Sequence, residues 1–293
     1  MTKRLNFTEH IYYKLSENKK KLMKDWQTPK KTNTRHLIID NLLPDDLCYE
    51  IYKSFPKKID NFYFRKSFRE RKRTLANLSN YNKNINNAIY AFQDKKILDI
   101  VSDITKINNL EADENLYAGG LSLMTKGDFL NPHIDNSHNI NRDKYRRLNL
   151  LYYVTPGWEE DNGGNFELWD NNVSKPKNIT SLFNRMIIME TTRDSWHSVN
   201  KIISNQVRCC VSNYYFSRNS PSKINDQYFH VTSFTGRPNE KYKRAYGLID
   251  NIVRNSISKI LKFGRGRKLI NYKKLCMRVF KKSKVLINLI YAN

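Results

Sequence analysis

The segment 115–218 constrains the fold most, because it is a succession of short apolar runs broken by turn residues. The candidate strands are LYAGGLSLMT, RLNLLYYVT, NFELWD, RMIIMETT, HSVNKII and VRCCVSNYYF. Clusters of Gly, Asn and Asp separate them, as in Asp161–Gly164 and Asp170–Asn172. Many short strands with frequent turns are typical of an all-β sandwich or barrel. Polar residues within these strands, such as Asn149 and Arg208, favour a jelly-roll-like barrel that holds a ligand.

Helical patterns flank this β core. LIIDNLLPDDLCYEIYKSF predicts a strand followed by a helix, and AYGLIDNIVRNSISKILKF repeats apolar residues at helical steps. The residues of that second pattern are Tyr246, Ile249, Val253, Ile257 and Ile260. We therefore divide the chain into a basic N-terminal segment 1–35, a domain 36–218 with its β core at about 115–218, and a basic linker with an amphipathic helical tail at 219–293.

The net charge of +24 is concentrated away from the β core. Residues 115–218 carry +2 of it, whereas residues 219–293 carry +14, and no acidic residue follows Asp250. Basic residues beside Ile, Leu and Phe on a helix suit anionic lipid headgroups. Two interpretations of the tail stay open. It is a helix docked on the domain with a solvated basic face, or it makes a peripheral contact with an anionic membrane or another polyanion.

A second basic run lies at Arg65–Arg73, where six basic residues accompany one acid, Glu70. Such a run is either a solvated face or a docking patch for an acidic partner.

The cysteines and the N-terminus bear on location. Cys48, Cys209, Cys210 and Cys276 are too few for a disulfide framework and form no CxxC pair, which favours a reducing compartment. The N-terminus has no uninterrupted apolar stretch typical of a signal peptide, and no apolar run reaches about 18 residues. We expect a cytoplasmic protein, peripherally membrane-associated if the tail binds lipid. Cys209 and Cys210 alternate on a strand, so one is expected in the core and the other towards the pocket or packed beneath the helix layer.

Two of the six histidines lie in a pattern that suits a metal ion. His133 and Asp135 are two residues apart, so in an extended segment both side chains leave the same face. His197 lies on a later candidate strand. Two neutral imidazoles and one carboxylate form the facial triad, which suits Fe(II) and leaves coordination positions open. The HxD spacing alone is a weak signal, because it also arises by chance in surface loops.

Arg208 strengthens this interpretation. It follows His197 across a predicted hairpin whose turn lies near Ser204–Asn205. A guanidinium can bind a carboxylate through two hydrogen bonds, and an unpaired charge inside a barrel is costly. A small dicarboxylate would satisfy it.

At these residues the sequence resembles the prolyl 4-hydroxylase-like branch of the Fe(II)/2-oxoglutarate-dependent dioxygenases. The resemblance runs from about Tyr117 to Ser217 and rests on YAGGLSLMTKGDFLNPHIDN, RRLNLLYYVTPGW, GGNFELWD, ETTRDSWHSV and VRCCVSNYYF. It implies a double-stranded β-helix, or cupin-like, core. With the flanking patterns, the predicted fold class is mainly β with flanking helices, with N-terminal helical support and C-terminal basic amphipathic helices.

The resemblance also implies a ligand set and a reaction. His133, Asp135 and His197 would hold Fe(II), and Arg208 would anchor the far carboxylate of the co-substrate 2-oxoglutarate. Tyr153 fits the position whose hydroxyl assists that anchor. The implied reaction uses O2 to hydroxylate an unactivated C–H bond and releases succinate and CO2, with ascorbate as an optional reductant. Asp135, where related halogenases have Ala or Gly, favours hydroxylation over halogenation.

Two positions depart from the family's pattern. Met124 stands where relatives often have a Tyr before the HxD loop, and Cys210 stands where Ser or Thr is usual two residues after the Arg. Neither change removes a metal ligand. Both changes affect how the far carboxylate of 2-oxoglutarate would be held beside Arg208.

Strand parity places Arg147, Asn149, Leu151 and Tyr153 on one face of RRLNLLYYV. This face is consistent with a pocket wall, and it makes Arg147 and Asn149 candidate substrate contacts.

The substrate has several interpretations. The resemblance favours a prolyl or other peptidyl residue, whereas the basic tail favours a surface glycan or a lipid-linked sugar at a membrane. An alternative of another class is a basic scaffold that binds polyanions without catalysis, although a scaffold needs none of the four residues of the ligand set. A nucleic-acid partner is not expected, because the charge lies at the ends of the chain and no DNA- or RNA-binding motif is present.

Overall fold

The structure, a computed structural model, describes residues 3–27, 32, 34–56, 58–78, 81–117, 119–221 and 229–261. Within them lie six α-helices and thirteen β-strands. The helices are α1 (Lys3–Glu17), α2 (Lys19–Gln27), α3 (Asp45–Lys53), α4 (Lys83–Ala91), α5 (Lys95–Thr105) and α6 (Lys241–Leu261). The strands are β1 (His36–Asp40), β2 (Tyr63–Lys66), β3 (Glu70–Leu75), β4 (Glu111–Ala112), β5 (Gly120–Met124), β6 (Phe129–Ile134), β7 (Tyr145–Tyr153), β8 (Phe166–Trp169), β9 (Pro176–Ile179), β10 (Arg185–Glu190), β11 (His197–Val199), β12 (Arg208–Ser217) and β13 (Ser233–Phe234).

All these strands belong to one antiparallel sheet that curls into a half-barrel, in the order β1-β10-β7-β12-β5-β3-β6-β11-β8-β9. Strand β13 pairs with β6, β2 pairs with β3, and β4 pairs with β12. From β5 onwards the chain passes between two halves, β10-β7-β12-β5 and β6-β11-β8-β9, which strand β3 joins by pairing with both β5 and β6. This connectivity is that of a jelly roll. The predicted double-stranded β-helix core, mainly β with flanking helices, is confirmed.

The alternation of side chains on β7 explains how one strand serves two layers. Leu148, Leu150 and Tyr152 pack into the main hydrophobic core, which includes apolar residues of α1, α4 and α5. Leu151 and Tyr153 point to the opposite face and belong to the cluster inside the half-barrel. One face of the strand therefore anchors the helices, and the other lines the interior of the half-barrel.

The N-terminal helices are part of this core. Phe7, Ile11 and Leu15 of α1 recur at helical spacing and are buried, as are Leu22 and Trp26 of α2. The boundary that the sequence suggests between residues 1–35 and 36–218 therefore divides a continuous hydrophobic core. The basic character of the segment hid its apolar stripe.

The C-terminal helix α6 is present where its periodicity predicts it, but its orientation is unexpected. Several of its contacts with the domain are polar: Asn251 exchanges hydrogen bonds with the backbone of Phe234, and Asn255 accepts one from the backbone N–H of Val231. The ring of Tyr246 also packs edge-on against Phe68, with centroids 4.7 Å apart. The apolar residues Tyr246, Ile249, Val253 and Ile257 are exposed. The side chain of Ile260 and the remaining tail, residues 262–293, lie outside the described residues.

Among the described helices, none combines the length and the hydropathy needed to cross a bilayer.

Candidate metal and co-substrate site

Two histidines face each other across neighbouring strands. His133 on β6 pairs in register with His197 on β11, and their ring centroids lie 4.0 Å apart. In each ring Nδ1 lies within hydrogen-bonding distance of the backbone carbonyl two residues earlier, 3.0 Å from Asn131 O and 2.9 Å from Ser195 O. These contacts favour the tautomer with the proton on Nδ1 and leave Nε2 as the ligand atom.

Asp135 completes the cluster. Its carboxylate lies 3.8 Å from Nε2 of His133 and 3.8 Å from Nε2 of His197, and all three side chains are buried. One ligand atom from each of the three lies within 4.8 Å of the others. The structure thus brings together the three residues that the sequence selected, and their two imidazoles and one carboxylate are a donor set that fits Fe(II).

The electrostatics of the cluster suit metal binding. Burial lowers the pKa of His133 well below its usual range, and the nearby His197 lowers it further. Burial also lowers the pKa of His197, although the charge of Asp135 opposes the shift. Both imidazoles are therefore neutral at neutral pH, the state in which a histidine binds a metal.

Arg208, at the start of β12, lines the same cavity as the triad and is 4% exposed. Its Nη1 donates to the carbonyl oxygen of Gly164 and lies 3.5 Å from Ser181 Oγ, while Nη2 lies 3.1 Å from Met124 Sδ. All three partners are neutral, and within the described residues no carboxylate forms an ion pair with this guanidinium. A buried cation without a counter-charge costs several kcal/mol, so the arrangement favours an anionic ligand.

The turn before β8 shapes this pocket through Gly164. Its φ is +65°, and a Cβ added there would lie 2.8 Å from Ile202 Cγ1 and 3.2 Å from Arg208 Cδ. Glycine is therefore needed for both the backbone conformation and the close approach of Arg208.

Tyr153 and Cys210 also line the cavity. The guanidinium of Arg208 lies 5.2 Å from the centroid of the Tyr153 ring, and burial raises the pKa of the Tyr153 hydroxyl. Cys209, in contrast, packs in the main core, so the predicted division of the two cysteines is confirmed. The two departures, Met124 and Cys210, both lie in the cavity wall close to the arginine.

The two predicted substrate contacts have different positions. Asn149 lines the cavity, and its buried Oδ1 accepts no hydrogen bond within the described residues. Arg147 is not part of the cavity wall, because its guanidinium donates to the carbonyl of Asn219. The parity argument is wrong for Arg147. A β-bulge aligns Leu148 with Tyr215 and Arg146 with Phe216, so Arg147 is the extra residue and the faces exchange.

We name the triad with Arg208 the inner end of the cavity, which has a volume of about 430 Å³. The outer rim is the partly exposed part of the cavity wall, and it presents basic residues from the β2–β3 hairpin, the β6–β7 loop and α6. They are Arg65, Arg69, Arg142 and Arg254. Lys72 lies nearer the inner end, where its charge adds to burial in lowering the pKa of His133 and of His197. Two ion pairs and two hydrogen bonds hold the rim together: Arg69 and Arg254 both pair with Asp250, and Arg142 donates to the carbonyl and hydroxyl oxygens of Ser258.

The basic run Arg65–Arg73 therefore has a mixed role. Arg71 and Arg73 point away from the cavity and pair with the buried Asp128 at 2.9 and 2.8 Å. Arg65, Arg69 and Lys72 line the cavity instead. Part of the run stabilises the fold, and the rest contributes positive charge to the cavity wall.

Sequence reasoning missed several residues near the site. His138 and His230 both line the cavity, and Phe234 stacks on His133 with centroids 5.0 Å apart. His230 and Phe234 come from the segment 229–234 beyond the proposed end of the domain at 218. That boundary therefore cuts through the cavity wall. No local signal marks these residues, because they reach the site only through the packing of the C-terminal segment.

An iron-binding facial triad with open positions, set inside a jelly roll beside a buried arginine, defines a class of protein: a non-haem iron oxygenase.

The family comparison gives the same class. Residues 119–216, from β5 almost to the end of β12, match the model of the 2OG-Fe(II) oxygenase superfamily. The matched segment contains the triad and Arg208, so this part of the chain has the sequence features and the ligand set of an oxygenase that uses Fe(II) and 2-oxoglutarate. No curated protein sequence matches the chain significantly.

Solved structures show the same fold at low sequence identity. A prolyl-4-hydroxylase from Pseudomonas putida is 11% identical with a TM-score of 0.52, over 68% of this chain and 100% of that chain. A Trichoplax adhaerens prolyl hydroxylase, solved with a peptide fragment of the hypoxia inducible factor oxygen degradation domain, is 18% identical with a TM-score of 0.51, over 70% and 93%. A prolyl 4-hydroxylase structure from Phytophthora capsici is 16% identical with a TM-score of 0.51, over 98% and 90%. The likeness is one of fold.

Proposed function

We propose that this oxygenase hydroxylates a peptidyl residue, with proline as the first candidate, in an acidic segment of a partner protein. Bound Fe(II), together with 2-oxoglutarate and O2, supplies the chemistry that converts a C–H bond to C–OH while 2-oxoglutarate becomes succinate and CO2. The fold similarity to prolyl hydroxylases, one of them solved with a peptide fragment, supports a peptide as substrate.

The observation that carries the acidic part of the proposal is the charge of the outer rim. Four basic side chains line it against one acid, Glu70, which pairs with Arg65. At the inner end, the charges of Asp135 and Arg208 are directed to the metal and the co-substrate. An excess of positive charge around the cavity attracts an anionic substrate and orients it during approach.

The side chains of the inner end have separate tasks in this proposal. His133, Asp135 and His197 hold the metal, while Arg208, assisted by Tyr153, holds the far carboxylate of 2-oxoglutarate. Asn149 offers a buried acceptor that is free to bond a ligand in the cavity. Phe166, Phe234 and Leu151 provide apolar walls that exclude water from the reacting atoms.

The test is a comparison of peptide and glycan pools in a succinate-release assay with Fe(II), 2-oxoglutarate and O2. We expect acidic proline-containing peptides to increase succinate release above the uncoupled rate, and mass spectrometry to find one added oxygen in the peptide. Stimulation by glycans, with none by peptides, would contradict the proposal and favour a surface glycan or lipid-linked sugar.

A second proposal concerns location: a cytoplasmic enzyme that contacts anionic membranes peripherally through α6 and the tail. It is favoured by the exposed apolar face of α6, where Leu248, Ile249 and Ile252 are 63%, 62% and 59% exposed. The chain that follows is basic, from Lys262 onwards without a single acid. An apolar helix face beside basic residues suits insertion into an anionic lipid surface. The free cysteines Cys48, Cys209 and Cys210 are consistent with a reducing compartment.

Co-sedimentation of the full chain with phosphatidylserine vesicles tests this second proposal. We expect the double substitution Ile249→Asp and Ile252→Asp to reduce vesicle binding at least tenfold. The matched control is Ile203→Asp, since Ile203 is 64% exposed but lies in the loop after β11. Equal loss in the control and the α6 variant, or unchanged binding in both, would contradict a membrane role for α6.

A further inference from the structure

The doublet Arg146–Arg147 at the start of β7 is divided by the β-bulge opposite β12. Leu148 pairs with Tyr215 and Arg146 pairs with Phe216, so the bulge places one residue more on β7 than on its neighbour. Arg147 consequently reaches the carbonyl of Asn219. Arg146 turns to the interior of the half-barrel, whereas strand parity alone would have placed it on the core face with Leu148.

Arg146 is buried directly beside a metal ligand. Its side chain is 0% exposed, and Nη1 lies 3.3 Å from Oδ2 of Asp135. The guanidinium stacks over the ring of Tyr214 at 4.1 Å and lies 5.7 Å from the centroid of Phe216. Apart from this ion pair, its three nitrogens form no hydrogen bond within the described residues. The contact with Asp135 is therefore the polar interaction that accounts for the burial of this charge.

We propose that Arg146 is a positioning residue that holds the carboxylate of Asp135 facing His133 and His197. The aromatic rings of Tyr214 and Phe216 fix the plane of the guanidinium, and the guanidinium in turn fixes the carboxylate. The pair is neutral before a metal binds, which makes the burial of both charges tolerable. Groups beside metal ligands commonly orient them in this way.

Two opposite effects make the proposal testable. A cation close to Asp135 repels a bound metal ion, so its removal would strengthen metal binding if charge alone mattered. Loss of the orienting contact would weaken metal binding, because Asp135 could then rotate away from the histidines. We infer that orientation outweighs repulsion, because Arg146 is clamped on one side by two aromatic rings and on the other by the carboxylate.

The experiment titrates the full-length protein with Co(II) as a probe and records its visible absorption spectrum, without 2-oxoglutarate or substrate. We expect Arg146→Met to raise the Co(II) dissociation constant by roughly tenfold to a hundredfold and to change the shape of the spectrum. Arg146→Lys keeps the charge but cannot stack as a planar group, so we expect a smaller rise. The matched control Arg147→Met removes the same charge from the adjacent residue and should leave affinity and spectrum unchanged.

Circular dichroism and melting temperature establish that each variant is folded. If Arg146→Met does not fold, the same Co(II) titration is made with Arg146→Lys and Tyr214→Leu. Tyr214→Leu removes the ring on which the guanidinium stacks and leaves the arginine in place. Native affinity and spectrum in a folded Arg146→Met protein, or tighter Co(II) binding, would overturn the proposal. If Arg146→Met does not fold, native Co(II) affinity and spectra in both Arg146→Lys and Tyr214→Leu would also overturn the proposal. The readout is metal binding, so it is independent of the substrate proposed above.

Discussion

The inner end and the outer rim of the cavity are built in different ways. The metal ligands lie on or directly after strands β6 and β11, which pair with each other, and backbone carbonyls fix both imidazoles. The rim is assembled from a hairpin, a loop and α6, joined by side-chain contacts between residues far apart in the chain, such as Arg69 with Asp250. Reactive groups placed in a sheet are held rigidly, whereas a rim held by a few polar contacts can change without disturbing them. The rigid inner end therefore serves the chemistry of this oxygenase, and the outer rim serves its choice of substrate.

The largest expected effect concerns the inner end. Replacing His197 by Ala removes one of three metal ligands, and we expect metal affinity to fall roughly a thousandfold or more. The control is His138→Ala, which removes an imidazole from the cavity wall outside the triad. Calorimetric titration with Mn(II) measures both. Similar losses in the two variants would mean that the triad is not the metal site.

The next effect concerns the buried cation. Arg208→Leu should weaken 2-oxoglutarate binding by roughly a hundredfold, because the far carboxylate would be buried without a partner. Metal affinity should change little, and Arg147→Leu, outside the cavity, should leave 2-oxoglutarate affinity unchanged. Calorimetry with the Mn(II)-loaded protein gives these values. Full 2-oxoglutarate affinity in Arg208→Leu would show that another group anchors the co-substrate.

A smaller effect should appear when the rim is loosened. Asp250→Asn weakens the ion pairs of Arg69 and Arg254, with Nε–Oδ2 distances of 3.1 and 2.8 Å, and we expect amide hydrogen exchange in 229–234 and α6 to rise roughly tenfold. Exchange in β6 and β11 should stay as in the native protein. Equal acceleration in both regions would contradict their separation.

The smallest predicted effect concerns the charge of the rim. Arg65→Gln should raise the KM for an acidic peptide several-fold, more at low salt than at high salt, with little change for a neutral peptide. Lys66 lies on the same hairpin but is exposed and outside the cavity wall, so Lys66→Gln is the matched control. The same KM change in both variants would point to the overall charge of the protein rather than to the rim.

The sequence could predict the inner end because its signals are local. The period of two in a strand places His133 and Asp135 together, and it also separates Cys209 from Cys210. The same rule fails at Arg147, because a bulge, which no single strand reveals, exchanges the faces of Arg146 and Arg147.

The outer rim depends on contacts between distant segments. The sequence predicted a docking patch at Arg65–Arg73 only as one of two interpretations, and it could not place α6 beside that run. The helical period of α6 was correct, but period alone does not say that Asn251 and Asn255 would dock while the apolar face stays exposed. The N-terminal helices show the converse error, since their net charge obscured an apolar stripe that completes the core.

The most direct test of the central claim is 2-oxoglutarate binding by the native chain with and without metal. The account predicts measurable binding with Mn(II), much weaker binding without metal, and loss of the metal-dependent part in both His133→Ala and Arg208→Leu. Tight binding that is independent of metal, or metal-dependent binding that survives in His133→Ala, would contradict it.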